Sequence, residues 1–376
     1  MKKIAIIHDW FTAIGGAEKV IDQLLKVFPD AQLYSVVDFL PDDQRGILNG
    51  KHVSTTFVQR FPFVSKRNYR NFLPLMPMAV EQLDLSAFDI VFSNCHAVSK
   101  AVITNHNQLH ISYIHTPMRY AWDMQNDYLK NSGFSGVKDM LARLLLHYIR
   151  TWDAVAASRP DLLIANSGFI AKRIRKIYRR ESQVIYPPVD TDYFTPEGSR
   201  EDFYFTASRF VPYKRIDIIA DAFRKMPDKK LVIIGDGPEL PRIKPYFSGN
   251  ITWLGYQSGP VLRDYYRRCK AFIFAAKEDF GIVPLEAQAC GAPVIAFGEG
   301  GAVETVRNVG SDMPTGVLFP SQSADAIQDA VHKFETLIIP SGNCRIQAEK
   351  FSNQRFQKEI YDYVQKAWQQ FGDGDF

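Results

Sequence analysis

The sequence predicts an α/β protein made of two Rossmann-like domains, each a parallel sheet wrapped by helices, facing each other across a cleft. Three observations carry that expectation. Short apolar runs of strand length alternate with helical segments from the first residues onward. The alternation stops once, at Tyr186-Pro187-Pro188-Val189-Asp190, where two consecutive prolines hold the chain extended, and then restarts. A length of 376 residues allows about two or three domains, and 46% hydrophobic content is ordinary for a globular protein. The expected division is residues 1–187, residues 188–352, and a C-terminal helix over residues 353–376 packing back on the N-terminal domain.

In chain order, residues 4–8 form a first buried strand. The loop from Asp9 to Gly16 leads into a helix over residues 17–28. Further strands are expected at residues 33–37, 90–93, 111–115 and 162–165. Residues 57–83 are aromatic, basic and proline-rich with poor helical periodicity, and read as irregular; they either pack on the domain or face a lipid headgroup region or an acceptor. Residues 137–152 carry the periodicity of an amphipathic helix. Residues 167–180 form a helix dense in cations (Lys172, Arg173, Arg175, Lys176, Arg179 and Arg180), which suits a solvated face, or attraction to anionic lipid or a phosphate-bearing acceptor. After the proline linker, strands are expected at residues 203–207, 231–234, 251–254, 271–275 and 293–297, and a long aromatic-rich helix at 353–371.

Composition narrows the function classes. A net charge of +4 is too mild to demand nucleic acid. Cys95, Cys269, Cys290 and Cys344 show neither CxxC nor zinc spacing, so reduced thiols in the cytoplasm are expected. No apolar run reaches spanning length. The histidines lack HExxH-type pairing, and Asp190-Thr191-Asp192 has no further ligands nearby, so no metal site is assigned. The absence of GxSxG or a comparable motif argues against acyl transfer.

The candidate site centres on Lys277-Glu278-Asp279-Phe280-Gly281-Ile282-Val283-Pro284-Leu285-Glu286, which follows the apolar run at 271–275. A strand, a glycine turn and a helix start make a corner where free amides favour an anion, most simply phosphate. Glu278 and Glu286 look wrong for phosphate but right for sugar and ribose hydroxyls, so the corner reads as a site for a nucleotide-linked sugar. Arg209, at a strand end, and Lys214, at the next helix start, are cations suited to a diphosphate. Gly235-Asp236-Gly237-Pro238 is a tight turn where a backbone could approach a ligand. Gly15-Gly16 matches neither dinucleotide nor P-loop spacing and is equally explained as a helix cap without a ligand. His115 ends a buried strand at the corresponding edge of the first half.

Together these residues resemble the retaining glycosyltransferase family 4, of GT-B fold, along essentially the whole chain. The pieces that carry the resemblance are Gly15-Gly16-Ala17-Glu18, His115, Ala165-Asn166-Ser167, the proline linker, Arg209 with Lys214, Gly235-Asp236-Gly237-Pro238, and Glu278 through Glu286 as the E-x7-E motif. The strings Ile114-His115-Thr116-Pro117-Met118-Arg119-Tyr120-Ala121-Trp122-Asp123 and Glu278-Asp279-Phe280-Gly281-Ile282-Val283-Pro284 look most like bacterial mannosyltransferases that build O-antigen lipopolysaccharide and related polysaccharides from GDP-mannose.

The resemblance implies transfer of a hexose with retention and without a metal cofactor. Arg209 and Lys214 would bind the donor diphosphate and stabilise the leaving group. Glu278 would hold hexose hydroxyls, Glu286 ribose hydroxyls, and His115 would contact the sugar near the reacting carbon. Donor contacts are further expected from Gly15, Gly16, Gly235, Gly237, Phe280, Gly281, Ile282 and Val283, with Tyr256 at the edge of the base pocket. The implied partners are a nucleotide-sugar donor and a saccharide or lipid-linked saccharide acceptor, with peripheral attachment to the cytoplasmic face of the inner membrane as a corollary of the basic residues. A UDP-sugar donor, an epimerase or hydrolase acting on a nucleotide sugar alone, and a non-catalytic binding module stay open as alternatives.

Overall fold

A computed structural model of the protein describes residues 2–374. The chain divides into an N-terminal unit, residues 1–187 with 356–376, and a C-terminal unit, residues 188–355. In the N-terminal unit the strands are β1 (Ile4–Phe11), β2 (Gln32–Asp38), β3 (Val53–Thr55), β4 (Ile90–Cys95), β5 (Leu109–Ile114), β6 (Leu162–Ala165) and β7 (Gln183–Val184). They form one sheet in the order β3-β2-β1-β4-β5-β6-β7, with every pairing parallel. In the C-terminal unit β8 (Tyr204–Ala207), β9 (Leu231–Ile234), β10 (Ile251–Trp253), β11 (Ala271–Phe274), β12 (Val294–Phe297) and β13 (Gly316–Phe319) pair in parallel in the order β10-β9-β8-β11-β12-β13.

The apolar runs become central strands because helices cover both faces of each sheet, so β4, β5, β8 and β11 are buried along their whole length. In each sheet the strand order reverses once, between β1 and β4 and between β8 and β11. The connections that diverge there leave a crevice at the carboxyl ends of those strands, where ligands bind in open α/β sheets. The short strands β3, β7 and β13 were not anticipated. β3 and β7 are the edge strands of the first sheet and are too short and polar to show an apolar run, while β13, Gly-Val-Leu-Phe, is the edge strand of the second.

Two segments depart in detail from the sequence reading. Within 57–83 the backbone forms helical turns at Phe57–Arg60, Tyr69–Leu75 and Met76–Glu81, and Val58, Tyr69, Met76, Ala79 and Val80 enter the core; Phe63 stays 89% exposed. In the basic helix, Gly168–Tyr178, the Arg173 guanidinium turns inward to Asp123 and Thr116. Just beyond it, Arg180 donates to the carbonyls of Ala157, Pro160 and Asp161. Two of the six cations are therefore structural, and the solvated basic face is smaller than the composition suggests. The last helix, Asn353–Asp373, buries Phe356, Ile360, Val364 and Ala367 in the N-terminal unit's core beside Phe11 and Tyr113. Its spacing of four, four and three residues is one helical stripe, which closes that core with the chain's final segment.

Candidate functional site

The C-terminal unit brings the expected residues to one sheet edge. β11 ends at Phe274, and after the loop through Glu278 a helix, Ile282–Ala289, starts behind Gly281, which has φ 92°. Pro284 is the third residue of that helix. The amides of Gly281, Ile282 and Val283 have no partner among the described residues, as the opening turn of a helix leaves them. Glu286 lies one turn further in and is only 7% exposed. Burial and the Glu286 charge together hold the neighbouring Tyr266 phenol well above its ordinary pKa. The Phe280 ring is buried against Phe351, centroids 5.6 Å apart, so its side chain is core and only its backbone is left for a ligand.

On the adjacent strand, β8 leads to Arg209, whose guanidinium is exposed and has no partner among the described residues. Lys214 ends the short turn Pro212–Lys214, and its ammonium pairs with the Glu278 carboxylate, both side chains about 85% buried from solvent at 14% and 15% exposure. Two residues expected to hold different parts of one ligand therefore hold each other at rest. Gly235 and Gly237 support the Arg209 loop from the end of β9. A Cβ on Gly235 would stand 1.8 Å from the Ser208 carbonyl oxygen, and one on Gly237 2.4 Å from that of Phe210. Tyr256 is 83% exposed on the loop after β10, tied in place by the Gly255 carbonyl accepting from the Gly235 amide at 2.8 Å.

Sequence reasoning missed the piece that fixes Glu278. The loop Gly298-Glu299-Gly300-Gly301 after β12 lies directly on it: the Gly301 amide donates to the Glu278 carbonyl at 2.8 Å, and a Cβ on Gly301 would stand 2.2 Å from the Phe280 Cα. Lys277 and Glu299 pair across the same contact at 2.5 Å. The run of three glycines around one glutamate was the available signal.

In the N-terminal unit, the crevice between β1 and β4 holds a compact polar cluster. Glu18, in the first turn of the helix Gly16–Val27, accepts from the Gly15 amide at 2.8 Å and meets His8 Nε2 at 3.2 Å. The amides of Gly16 and Ala17 have no partner among the described residues and remain as anion donors. The fully buried Asp9 accepts four successive amides, those of His96, Ala97, Val98 and Ser99, at 2.6–2.9 Å. A loop that would otherwise cradle an external anion is thus filled by the chain's own carboxylate. His115 Nε2 meets Asn94 Oδ1 at 2.7 Å, and its pKa is depressed well below the ordinary value by burial, then by His96 and His8. Its ring nitrogen therefore stays a neutral hydrogen-bonding group at pH 7. His8, Asp9, Glu18, Asn94 and His96 were not picked out as a site by the sequence, because they come from three separated segments. A histidine–aspartate pair ending one strand and Asn94-Cys95-His96 ending another were the visible hints.

Asp190 and Asp192 turn elsewhere: Asp190 caps the Tyr193 amide at 3.0 Å and Asp192 accepts from Gln354 at 2.7 Å. No group of three metal-ligating side chains is close enough to hold an ion among the described residues. All four cysteines are buried and free, with Cys95, Cys269, Cys290 and Cys344 thiols each pushed up to about 12, chiefly by burial. No helix among the described residues is long and apolar enough to cross a membrane.

Comparisons with known proteins agree with this architecture. Residues 14–193 match the family described as Glycosyltransferase Family 4, and residues 193–351 match Glycosyl transferases group 1. A D-inositol 3-phosphate glycosyltransferase of Mycobacterium avium is 31% identical over 196 residues, 46% of this chain and 45% of that one. The chain thus spans about half the length of the curated relatives it matches. Among solved structures, the Anabaena protein HepE in complex with UDP and glucose aligns with a TM-score of 0.67 at 17% identity, covering 97% of this chain and 100% of that one. The sucrose-phosphate synthase of Thermosynechococcus elongatus aligns at 0.71 and 16% identity, over 97% and 99%. At such identities the structures speak for the fold, which is GT-B, and the two matches, running together over residues 14–351, make both halves of the chain similar to glycosyltransferase families.

Proposed function

We propose that the protein is a retaining hexosyltransferase that moves mannose from GDP-mannose onto a saccharide or lipid-linked saccharide in bacterial surface polysaccharide synthesis. The observation that carries the transferase chemistry is the convergence, at the carboxyl ends of neighbouring strands β8 and β11, of the exposed Arg209, the Lys214–Glu278 pair and the amides of Gly281, Ile282 and Val283. Arginine, ammonium and amides suit a diphosphate, and they stabilise the charge that grows on it as the glycosidic bond breaks. With Lys214 turned to phosphate, Glu278 is released to accept from hexose hydroxyls, and Glu286 is left for the ribose. These residues supply the counter-charge themselves, so no metal is assigned. The N-terminal unit, with His115 and the Gly16 amide, is assigned to the acceptor side and to the sugar's reacting end.

The mannose and GDP parts rest on the resemblance of the His115 and Glu278 strings. A UDP-hexose donor is the second reading, favoured by the related fold of HepE, solved with UDP-glucose. Thermal stabilisation by GDP and GDP-mannose against UDP and UDP-glucose decides between them, and a larger shift with UDP overturns the GDP-mannose assignment. Product analysis with and without an acceptor sugar separates transfer from hydrolysis or epimerisation of the donor alone.

Peripheral attachment to the membrane is part of this reading, on a different surface from the basic helix. The helix Val137–Ala156 docks Leu146, Ile149 and Ala156 on the core, yet its opposite face exposes Val137 (68%), Leu141 (57%), Leu144 (58%), Tyr148 (49%) and Val155 (61%) in one stripe. Lys138 adds a cation with no partner among the described residues. An apolar stripe with a basic edge suits the headgroup–acyl boundary of a bilayer. Leu141→Asp with Leu144→Asp is expected to abolish flotation with anionic vesicles; unchanged flotation sinks this part of the reading.

A further inference from the structure

The loop between the helical turns Phe57–Arg60 and Tyr69–Leu75 carries an aromatic side chain that the fold holds in water. Phe63 has φ 70°, a left-handed backbone that its Cβ disfavours, and its ring has almost no cover. Asn68 pins it there. The Asn68 Nδ2 donates to the Phe63 carbonyl at 2.7 Å, while Oδ1 accepts from the Ser65 amide and hydroxyl at 2.8 and 3.0 Å. Two residues earlier, Phe61 is 40% exposed and is braced by the rings of Phe57 and Phe72, centroids 5.8 and 5.9 Å away. Phe61-Pro62-Phe63 is therefore a braced apolar knob.

Cations surround the knob and carboxylates avoid it. Residues 44–80 contain no aspartate or glutamate but six lysines and arginines. Arg45 is held by Asp38, whereas Arg60, Lys66 and Arg67, which bracket the knob, are exposed and have no ion-pair partner among the described residues. A projecting apolar tip bracketed by cations fits a surface that is negative outside and apolar directly beneath, as a bilayer of anionic lipids is. An acidic peptide would answer the cations but offers no apolar depth for the Phe63 ring.

The knob belongs to the same layer as the apolar stripe of the helix Val137–Ala156. Val58, Tyr69 and Met76 share one core with Leu146 and Ile149, and Glu81 ties the two segments, accepting from Trp152 Nε1 at 3.2 Å and pairing with Arg159 at 2.7 Å. Resting on the membrane-attachment reading, we propose that residues 60–67 are a second membrane anchor of the N-terminal unit, which inserts Phe61 and Phe63 at the headgroup–acyl boundary while Arg60, Lys66 and Arg67 take up anionic headgroups. Two anchors on one packed layer reinforce each other, since engagement of the first presents the second to the surface at high local concentration. The loop adds the preference for anionic lipid.

The test uses the full chain and two probes, vesicles of phosphatidylcholine alone and vesicles of phosphatidylcholine and phosphatidylglycerol in equal parts, with partition read by co-flotation. The wild type is expected to favour the mixed vesicles and to lose that preference at high salt. Phe63→Gly is expected to lower partition into mixed vesicles at least about tenfold, the scale of withdrawing one aromatic side chain from apolar surroundings. Its melting temperature should hold or rise, because glycine adopts φ 70° without a Cβ clash. Lys66→Glu with Arg67→Glu is expected to abolish the preference for mixed vesicles. Nucleotide-dependent thermal stabilisation should be unchanged in both variants, which keeps the outcome separate from the donor site. Partition of Phe63→Gly within about twofold of the wild type, a lower melting temperature in that variant, or equal wild-type binding to both vesicles overturns the proposal. A change of oligomeric state in Phe63→Gly, read by sedimentation, overturns it too and makes the knob a contact between copies. If Leu141→Asp with Leu144→Asp releases the protein while Phe63→Gly binds as the wild type does, membrane attachment stands and this inference alone fails. If the wild type floats with neither vesicle, the attachment reading fails first and takes this inference with it.

Discussion

The two units share one strand order, with the reversal at β1/β4 in the first sheet and at β8/β11 in the second, yet they furnish that crevice in opposite ways. The C-terminal crevice is edged with side chains poised for a ligand: Arg209 without a partner among the described residues, Tyr256 in solvent, and a Lys214–Glu278 pair that a diphosphate can part. The N-terminal crevice is largely satisfied from within, Asp9 filling a nest of amides and Glu18 tying His8 to Gly15. The same backbone topology thus makes an anion grip in one unit and an internally bonded array of histidines in the other. What decides between them is whether the loop amides are answered by the chain or left for a ligand.

The largest expected effect tests whether the C-terminal grip depends on its glycine support. Gly301→Ala puts a methyl 2.2 Å from the Phe280 Cα, a separation that backbone on backbone does not tolerate, so Phe280 and Glu278 must move. Transfer is expected to fall by more than about 100-fold, since misplacing a catalytic group by an ångström costs on that scale. The melting temperature should drop as well. Near-normal activity would mean that the Glu278 position is not set by this contact. The grip itself comes next. Arg209→Ala is expected to reduce kcat by about 10²–10³-fold, the scale of removing one electrostatic stabiliser from a transition state. Because the Arg209 side chain is exposed and holds nothing among the described residues, the stability of that variant should be unchanged, whereas Glu278→Ala removes the carboxylate that pairs with Lys214 and should cost both. If Arg209→Ala raises only the donor KM, the arginine binds without assisting departure of the leaving group.

Acid separates the units by a different physics. The N-terminal unit holds the buried His110 and the part-buried His96 and His115 with depressed pKa values, His110 down to about 3, chiefly through loss of solvent. Each takes a proton in the unfolded chain near its ordinary 6.5 but resists it when folded, so the stability it contributes is present above 6.5 and is lost as pH falls below that. His8 runs the other way, its pKa being raised: against opposing burial, Glu18 wins, so it adds stability on the acid side of 6.5. Three losses against one gain leave the unit acid-sensitive. The C-terminal unit carries a single histidine, His332, and the lowered carboxylates Asp202, Asp221 and Glu335 give way only below their ordinary 3.8–4.5. Hydrogen exchange corrected for intrinsic rate should therefore show protection falling in β1, β4 and β5 between pH 7.5 and 5.5 while β8 and β11 hold. A uniform change across both sheets would remove this contrast.

The difference between the units also explains what could be read from the sequence. The C-terminal corner lies mostly in one continuous stretch, Glu278 to Glu286, with its cations a strand away, so residue type and spacing are visible together. The N-terminal array is assembled from His8 and Asp9, Glu18, Asn94 and His96, and His115, joined across separations such as the 86 residues between His8 and Asn94. Only the folded sheet brings β1 and β4 side by side. Central strands were legible for the reason that they are buried on both faces; β3 and β7 were not, because an edge strand of two or three residues is held by its neighbour's backbone and needs no apolar run. Likewise the composition of the basic helix showed six cations but not that Arg173 and Arg180 are spent on Asp123 and on carbonyl oxygens.

The smallest expected effect sharpens the comparison most, because it tests whether an exposed side chain of the C-terminal crevice touches the donor at all. Tyr256 makes no core contact at 83% exposure, so Tyr256→Ala should leave the melting temperature within the scatter of surface substitutions. If the ring lies along the nucleotide base, the substitution weakens binding by about 1–3 kcal/mol, the range for aromatic stacking on a base, read as a fall in nucleotide-dependent thermal stabilisation. The effect should be the same for the free nucleoside diphosphate and the sugar nucleotide, since neither the hexose nor its leaving bond reaches the base. kcat at saturating donor should be unaltered. A drop in kcat without a change in nucleotide affinity would move Tyr256 from the base to the reacting end, and no change in either would make the loop after β10 a bystander held only by Gly235.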